Sequence, residues 1–429
     1  MSCFLPKGNA ILTAHILFIA GADSDLRLPF VRAVRDHGFR VSMAASGGGA
    51  AYEGAGIEFV QFPFDRFISP LSDWRAIRRL GNILARLQPD IAQGFDTKPC
   101  LMLPLAAQDP DLSVIRTICG RGWVYSSRSP VAMCARLVYR ALHGFAARRT
   151  NATVFQNRSD RAFFEQYGIA GAQAVVIPAG GGGIDPESFE QALHGAATAT
   201  ALRAELGLGN AEVVITVSRI TRQKGIPALL KAADLVRRQR PGVRFLLVGP
   251  RDSEGPLAIS EAELAKHAPT VIAIGPRTDV PALLRMADVF AFPTEYSEGV
   301  PRVLLEAALA RLPIISTSMP GCLEVIEDGL TGRVVPPRSP EKLAEQILAA
   351  LVHRDESAVM AARLPERVRA NFSVAGGAER HAALYHALLA NRSHPGAIAP
   401  FPTGQRELAP VATARSYSSS ARSKPDTDE

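Results

Sequence analysis

Cysteine is scarce in this sequence, and its spacing excludes two kinds of stabilised fold. The 429 residues contain five cysteines, an odd number, and no two of them stand in Cys-x-x-Cys spacing. A disulfide framework needs paired cysteines, and a structural zinc site needs closely spaced ones. We therefore expect a reducing compartment, the cytoplasm, and no disulfide or zinc scaffold.

Long apolar runs are also missing. No uninterrupted apolar run reaches the roughly 18 residues that a transmembrane helix needs, so none is expected. The run from Ala10 to Ala20 resembles a short signal core, but it contains His15 and only Lys7 precedes it. Because it leads into a strand–turn–helix pattern, we predict a first buried strand there.

Nucleic-acid signatures are absent, although the chain is basic. The net charge is +7 and the pI is about 9.3. With no zinc-finger, helix-turn-helix or RNA-binding pattern, this charge favours phosphorylated ligands or an anionic membrane surface, and we expect no nucleic-acid partner.

The patterning that is present predicts an α/β protein of two domains. Short apolar runs alternate with helical stretches, which is typical of parallel sheets. We predict a first domain over residues 1–195, a second over 196–375, a helix over 376–392 and a disordered tail over 393–429. The predicted strands are His15–Ala20, Arg40–Ala44, Ile57–Phe62, Asp90–Gln93, Val114–Ile118, Ala152–Gln156, Val213–Ser218, Arg244–Val248, Val271–Ile274, Val289–Phe292 and Ile314–Ser316.

The most specific pattern lies between Ser297 and Ala307. It follows a predicted buried strand and runs into a predicted helix, with Glu298 in the loop and Glu306 inside the helix. Gly299 lies at the helix start, where unpaired backbone N–H groups suit phosphate or sugar hydroxyls.

A basic loop follows the predicted strand Val213–Ser218. It carries Arg219 and Lys224 at the carboxyl end of that strand, where open α/β sheets bind ligands. Arginine holds phosphate with two parallel N–H bonds, and lysine adds a point charge.

Together these stretches resemble the family-4 retaining glycosyltransferases. The Glu-x7-Glu spacing within EGVPRVLLEA is similar to that family's donor-site signature, and Arg219 with Lys224-Gly225 matches its basic loop. The resemblance implies the GT-B fold, which is an α/β architecture of two Rossmann-like domains with parallel sheets facing a central cleft.

The resemblance also implies roles for these residues. Arg219 and Lys224 would hold the donor diphosphate, Glu298 would lie near the donor sugar at the reacting face, and Glu306 would bind the ribose. Pro301 has no N–H group to donate. The other donor-binding residues implied are Gly299, Val300, Pro301, Gly249 and Arg277.

The first-domain loop Gln93–Pro99 departs from most of the family, which carries a histidine here. Its Thr97-Lys98-Pro99, and the stretch Gly120–Tyr125, resemble a subgroup that builds polyprenyl-diphosphate-linked sugars. The resemblance therefore implies such a lipid-linked glycan as acceptor. The predicted acceptor-binding residues are Gly21, Asp96, Lys98 and Arg121.

The stretch Arg136–Arg149 is basic and amphipathic, and two interpretations stay open. It is either a helix that lies on an anionic membrane, giving a peripheral protein on the cytoplasmic face of the inner membrane, or a domain helix with a basic outer face.

The predicted reaction moves a hexosyl or N-acetylhexosaminyl group from a nucleotide-sugar, a UDP-sugar first, to a glycan hydroxyl, and the resemblance implies that the anomeric configuration is retained. The alternatives are a UDP-N-acetylhexosamine 2-epimerase and a non-catalytic nucleotide-sugar-binding subunit. Asp23-Ser24-Asp25 has the Asp-x-Asp form of metal-dependent transferases, but it lies far from the other motifs. We predict no metal and no cofactor.

Overall fold

The computed structural model describes residues 13–65, 69–127, 129–178, 180–251, 255 and 257–393. The predicted disordered tail lies outside the described residues from position 394 onward. Among the helices described, none combines the length and the apolar character that a bilayer crossing requires.

The first half is built on a parallel sheet. Within the described residues this sheet has seven strands in the order β3-β2-β1-β4-β5-β6-β7. The strands are β1 His15–Ala20, β2 Arg40–Ala45, β3 Glu58–Gln61, β4 Ile91–Phe95, β5 Ser113–Ile118, β6 Ala152–Phe155 and β7 Ala174–Val176. The helices are α1 Leu28–Asp36, α2 Gly49–Gly54, α3 Pro70–Leu87, α4 Thr97–Ala106, α5 Gly122–Ser126, α6 Pro130–Ala147 and α7 Arg158–Gln166.

The second half repeats this plan. Its sheet has six described strands in the order β10-β9-β8-β11-β12-β13, again all parallel. They are β8 Val213–Val217, β9 Arg244–Val248, β10 Val271–Ala273, β11 Val289–Phe292, β12 Ile314–Thr317 and β13 Arg333–Val335. The helices are α8 Pro186–Gln191, α9 Ala199–Glu205, α10 Ile226–Gln239, α11 Glu261–Ala265, α12 Val280–Met286, α13 Arg302–Leu309, α14 Pro320–Val325, α15 Pro340–Val352, α16 Arg354–Ala362, α17 Leu364–Phe372 and α18 Val374–Ser393.

Burial on both faces explains the apolar strand sequences. All six residues of β1 are buried, because helices cover both sides of a parallel sheet. The sequence HILFIA therefore shows no alternation of polar and apolar residues. The predicted α/β class with two parallel sheets is confirmed.

The chain crosses between the halves twice. Ile184, Phe189 and Leu202 pack in the core of the second sheet, so the first crossing lies before them. Helix α18 returns to the first half, where Ala378 and Leu384 join the core beneath β1. The Tyr385 hydroxyl donates to Gln93 Oε1 in β4. The proposed domain boundaries themselves stay a prediction.

Candidate functional site

A cavity of about 430 Å³ lies in the cleft and is lined by both halves. The first half contributes residues that directly follow the carboxyl ends of β1, β4, β5 and β6, and the second half contributes residues that follow β8 and β11. Parallel strands end at the same edge of a sheet, so residues distant in sequence meet there. The charged and polar lining includes Arg27, Asp96, Cys119, Gln156, Arg219, Lys224, Glu298 and Arg302, and Gly299 and Val300 also contribute.

The second half brings its predicted charged residues together. Lys224 Nζ donates to Glu298 Oε1 at 2.6 Å, and the lysine side chain is only 9% exposed. The Thr294 hydroxyl donates to the same oxygen at 3.2 Å. Arg219 lines the same cavity. The wall therefore holds two cations and an oriented carboxylate at one strand edge.

The loop before α13 presents two backbone N–H groups to the cleft, and the first half caps both of them. Gly299 N–H donates to the Cys119 carbonyl at 3.0 Å. Val300 N–H donates to Gln156 Oε1 at 2.8 Å. A Cβ at position 299 would overlap the Gln156 amide, so this approach requires glycine. Oxygen atoms of the first half thus accept hydrogen bonds from the same N–H groups that the resemblance predicts to bind the donor.

Glu306 lies inside α13 and is bound by its own helix. Arg302 Nε donates to Glu306 Oε1 at 3.1 Å, and burial raises the pKa of this carboxyl group while Arg302 lowers it less. Glu306 lies outside the lining of the cavity, whereas Arg302 and Leu305 contribute to it. Pro301 caps α13 with a φ of −67°, a helix-compatible angle.

Two weaker donor-site predictions fall outside the cavity lining. Arg277 donates to Asp279 at 2.9 and 2.7 Å and to Glu205 at 2.8 Å, which raises its pKa. Gly249 has a φ of 140°, and a Cβ there would overlap the Ser218 carbonyl, so its glycine is required by packing. Their donor-binding roles stay predictions.

Asp96 is the predicted acceptor residue that does line the cavity, and its partner is Arg27. Arg27 Nη2 donates to both Asp96 carboxylate oxygens at 3.2 Å, and Nη1 donates to the Gly181 carbonyl at 2.9 Å. The guanidinium stacks 4.3 Å from the centre of the Phe95 ring. Burial alone would lower the pKa of Arg27, but the charges and hydrogen bonds of Asp96 and Cys119 together outweigh burial and raise the pKa.

The other three predicted acceptor residues are not brought into the cavity lining. Lys98 Nζ donates to Asp73 Oδ1 at 2.5 Å and to the Asp65 carbonyl at 2.7 Å. Arg121 Nε donates to Asp160 Oδ1 at 2.7 Å, where the Asp160 side chain is fully buried. Gly21 directly precedes the turn Ala22–Arg27. The geometry gives Lys98 and Arg121 structural ion pairs.

Sequence reasoning missed the first-half residues Arg27, Cys119, Tyr139 and His143, which all line the cavity. Burial lowers the pKa of His143 to about 3, so its imidazole is neutral near pH 7. Burial also raises the pKa of Cys119 to about 11, so its thiol stays protonated and is a poor nucleophile. No local motif marks these residues, because tertiary contacts place them.

Within the part of the chain that the structure describes, no three His, Cys, Asp or Glu side chains gather in a metal-binding arrangement.

Two family models match the chain, one in each half. "Glycosyl transferase 4-like domain" matches residues 28–180, and "Glycosyl transferases group 1" matches residues 211–353. The two matches therefore cover most of both parallel-sheet units.

Curated relatives are bacterial. The chain is 25% identical over 303 residues to the N,N'-diacetylbacillosaminyl-diphospho-undecaprenol alpha-1,3-N-acetylgalactosaminyltransferase of Campylobacter jejuni, covering 70% of this chain and 78% of that protein. It is 29% identical over 221 residues to the GDP-mannose-dependent alpha-(1-6)-phosphatidylinositol monomannoside mannosyltransferase of Mycobacterium tuberculosis, covering 49% and 54%. The chain spans about half the length of several of the curated relatives it matches.

Solved structures share the fold. Anabaena HepE in complex with UDP-glucose superposes with a TM-score of 0.70 at 20% identity, covering 87% of this chain and 99% of that one. At this identity the likeness shows the architecture, two sheets around a cleft, and not the ligand.

Proposed function

The chain belongs to the family-4-like, group 1 glycosyltransferases of GT-B fold, and from this premise we propose the reaction it catalyses. It transfers a hexosyl or N-acetylhexosaminyl group from a nucleotide-sugar, a UDP-sugar first, to a hydroxyl of a polyprenyl-diphosphate-linked glycan in bacterial surface polysaccharide synthesis. The observation that carries the proposal is the Lys224–Glu298 pair, 2.6 Å long, set in a cavity shared by both halves.

In this reaction the second half would stabilise the leaving diphosphate. As the bond to the sugar breaks, negative charge grows on the phosphate oxygens. Arg219 and Lys224 lie on one wall of the cavity, and fixed cations cost no reorganisation during the reaction. Preorganised donors of this kind are each worth about 10²- to 10³-fold in rate. The proposal therefore needs no metal ion.

Retention of configuration is the expected stereochemistry. A two-step route needs a nucleophile beneath the sugar, and the Cys119 thiol is held protonated by burial. Glu298 accepts hydrogen bonds from Lys224 and Thr294, which fix the orientation of its side chain. We therefore favour attack on the same face, with the leaving phosphate taking the proton of the acceptor hydroxyl.

Donor entry must displace contacts that the two halves make with each other. The Gly299 and Val300 N–H groups donate to first-half oxygens, of Cys119 and Gln156. When the donor binds, one of its oxygen atoms would replace each of these first-half oxygens as the hydrogen-bond acceptor. Few hydrogen bonds would therefore be lost. Opening and closing of the cleft then accompany each turnover and keep water from the reacting bond.

The outer face of α6 supports attachment to a membrane surface. Arg136 and Arg140 do not form a basic outer face, because they stack on Tyr125 and Tyr167 at 5.2 and 4.4 Å from the ring centres. The exposed face is apolar instead, and contiguous exposed apolar side chains mark interaction sites. Its exposed large residues are Val131, Met133, Leu137, Val138, Leu142 and Phe145.

This face is proposed to lie on the bilayer that holds the acceptor. Arg148 and Arg149 are exposed at the end of α6, where they suit anionic headgroups. Co-sedimentation with anionic and with neutral vesicles measures the attachment, and Leu137→Ser with Val138→Ser should abolish it. Undiminished binding of that variant would contradict the assignment of this face.

A transfer assay tests the reaction. Purified full-length protein is incubated with a panel of UDP- and GDP-sugars and prenyl-diphosphate-linked acceptors, and nucleotide release and product mass are followed. Product that forms from one donor only with the lipid-linked acceptor supports the proposal. Conversion of the sugar nucleotide without acceptor indicates an epimerase, and tight nucleotide binding without turnover on any acceptor indicates a non-catalytic subunit.

A further inference from the structure

We propose that Arg27 and Arg302 form a second anion site in the cleft, which binds a phosphate or diphosphate group on the acceptor. The site shares one cavity with the proposed donor cations Arg219 and Lys224. This inference rests on the proposed function and deepens it, because it names the feature by which the acceptor is recognised.

The two arginines come from different halves of the molecule and converge. Arg27 ends the turn after β1, and Arg302 begins α13. Arg302 Nη1 donates to the carbonyl oxygen of Leu26, the neighbour of Arg27, at 3.4 Å. Both arginines and Leu26 line the same cavity. Both arginines therefore lie in the lining of one cavity, where the two halves contact each other.

Arg27 is the fixed member of the pair. Its side chain is 13% exposed, and it is gripped by Asp96, by the Gly181 carbonyl and by the face of the Phe95 ring. An arginine that served only as a partner for Asp96 would neutralise a half-exposed carboxylate, which stabilises little. Its rigid placement in the cavity wall instead presents a permanent positive charge to an anion bound in the cleft.

Arg302 is the adjustable member. Its side chain is 41% exposed, and the ion pair that holds it joins residues four apart on one helix. The resemblance gives Glu306 the donor ribose to bind, and hydrogen bonds to ribose hydroxyls would loosen its hold on Arg302. Donor binding then prepares Arg302 for the acceptor.

The cations that the sequence predicted for this role, Lys98 and Arg121, lie outside the cavity lining. Lys98 is paired with Asp73, and Arg121 is paired with the buried Asp160. Removing either from its carboxylate to reach a ligand would leave that carboxylate without its partner, which is costly for Asp160. Arg27 and Arg302 are the remaining described arginines of the lining beside Arg219.

The size of the cavity limits where the acceptor phosphate lies. A volume of about 430 Å³ is at the small end of ligand pockets, and the donor sugar must share it. A phosphate bound by Arg27 and Arg302 therefore lies close to the acceptor hydroxyl. The preferred acceptor is one whose accepting sugar is adjacent to its phosphate, rather than the far end of a long glycan.

The first test uses inorganic pyrophosphate as the probe. Full-length protein is saturated with UDP, or with GDP if only that binds, and pyrophosphate is then titrated by calorimetry. We expect binding in the presence of nucleotide, weakened at least 10-fold by Arg302→Gln and by Arg27→Lys, while nucleotide affinity changes less than 2-fold. Arg237→Gln, on the exposed face of α10, is the matched control and should change neither affinity.

The outcomes separate the two proposals. No pyrophosphate binding beside the nucleotide, or equal binding by Arg302→Gln, overturns the second site. Equal weakening of nucleotide and pyrophosphate assigns Arg302 to the donor and also overturns it. If no nucleotide binds, the proposed function fails, and pyrophosphate titrated alone then decides: loss in Arg302→Gln sustains the anion site, and no loss overturns it.

The second test identifies the source of the phosphate. Transfer is measured with a short prenyl-diphosphate-linked N-acetylhexosamine, a soluble hexose phosphate and an uncharged alkyl glycoside. Arg302→Gln should raise the acceptor KM at least 10-fold for a phosphorylated acceptor and leave the alkyl glycoside KM and the donor KM unchanged. Whichever phosphorylated acceptor shows the effect is the source, and an equal rise for the alkyl glycoside would refute the site.

Discussion

The two walls of the cleft differ in how their residues are held. On the second-half wall, Arg219, Lys224 and Glu298 were predicted from one strand-end loop and one loop before a helix, and all three line the cavity. On the first-half wall, Asp96 lines the cavity, but Lys98 and Arg121 form ion pairs away from it.

A local sequence motif therefore predicts where a side chain lies in the fold. It does not predict which distant side chain will pair with it. Lys224 is placed by the turn that follows β8, so its neighbours in sequence determine where it lies. The partners of Lys98 and Arg121 lie 25 and 39 residues away. Whether a cation meets a ligand or a carboxylate depends on such distant partners.

The largest expected effect lies on the donor wall. Lys224→Ala and Glu298→Gln should each lower kcat by at least about 100-fold, because each removes a charged group from the reacting face. Initial rates of nucleotide release measure this. Lys231→Ala, exposed on α10, is the matched control. Full activity of Lys224→Ala, with an unchanged circular dichroism spectrum, would contradict the catalytic assignment.

The next effect concerns the acceptor wall, and it is one of stability. Arg121→Ala should lower the free energy of unfolding by about 3 kcal/mol, because it leaves the fully buried Asp160 carboxylate without its cationic partner. Arg161→Ala breaks the exposed pair with Glu165 and should cost under about 1 kcal/mol. Urea unfolding of both variants measures the difference. A loss of unfolding free energy for Arg121→Ala as small as that for Arg161→Ala would contradict the structural role and favour the predicted role in acceptor binding.

Acid should weaken the first half through two buried histidines. Burial lowers the pKa of His143 to about 3 and that of His381 to about 4, and both side chains are fully buried within the first half. An unfolded chain binds their protons below about pH 6.5, so stability is fully present above that pH and falls as the pH is lowered.

At pH 5 each histidine should cost about 2 kcal/mol. Unfolding followed between pH 7 and pH 5 measures the fall, and His143→Gln should reduce it by about 2 kcal/mol. An unchanged pH dependence in His143→Gln would mean that this histidine is hydrated or charged in the folded protein.

The smallest effect returns to the donor wall. Burial raises the pKa of Glu306, and only the ionised carboxylate accepts two hydrogen bonds from ribose hydroxyls. Nucleotide affinity should therefore fall as the pH drops through that raised pKa, by up to about 10-fold, a loss of about 1.4 kcal/mol. Calorimetric titration between pH 7.5 and 5 tests this, and Glu306→Gln should bind weakly with no such slope.

The sequence by itself determined the architecture and predicted three residues, Arg219, Lys224 and Glu298, that line the cavity. Eleven predicted strands appear in the two parallel sheets, because strands buried on both faces are continuous apolar runs that stand out in any sequence. The strands it missed are β7 and β13, of three residues each. Segments so short carry no readable period, so periodicity does not decide whether such a strand is recognised, and β10, equally short, was predicted.

Only the tertiary structure decided which residues form the acceptor wall. Arg27 and Asp96 are 69 residues apart, and Arg302 meets Leu26 across 276 residues. Whether the Gly299 and Val300 N–H groups are capped likewise depends on Cys119 and Gln156 in the other half. Periodicity and local motifs depend only on residues that are neighbours along the chain. The charged residues that pair across the cleft are instead determined by the strand ends that the folded sheets bring together.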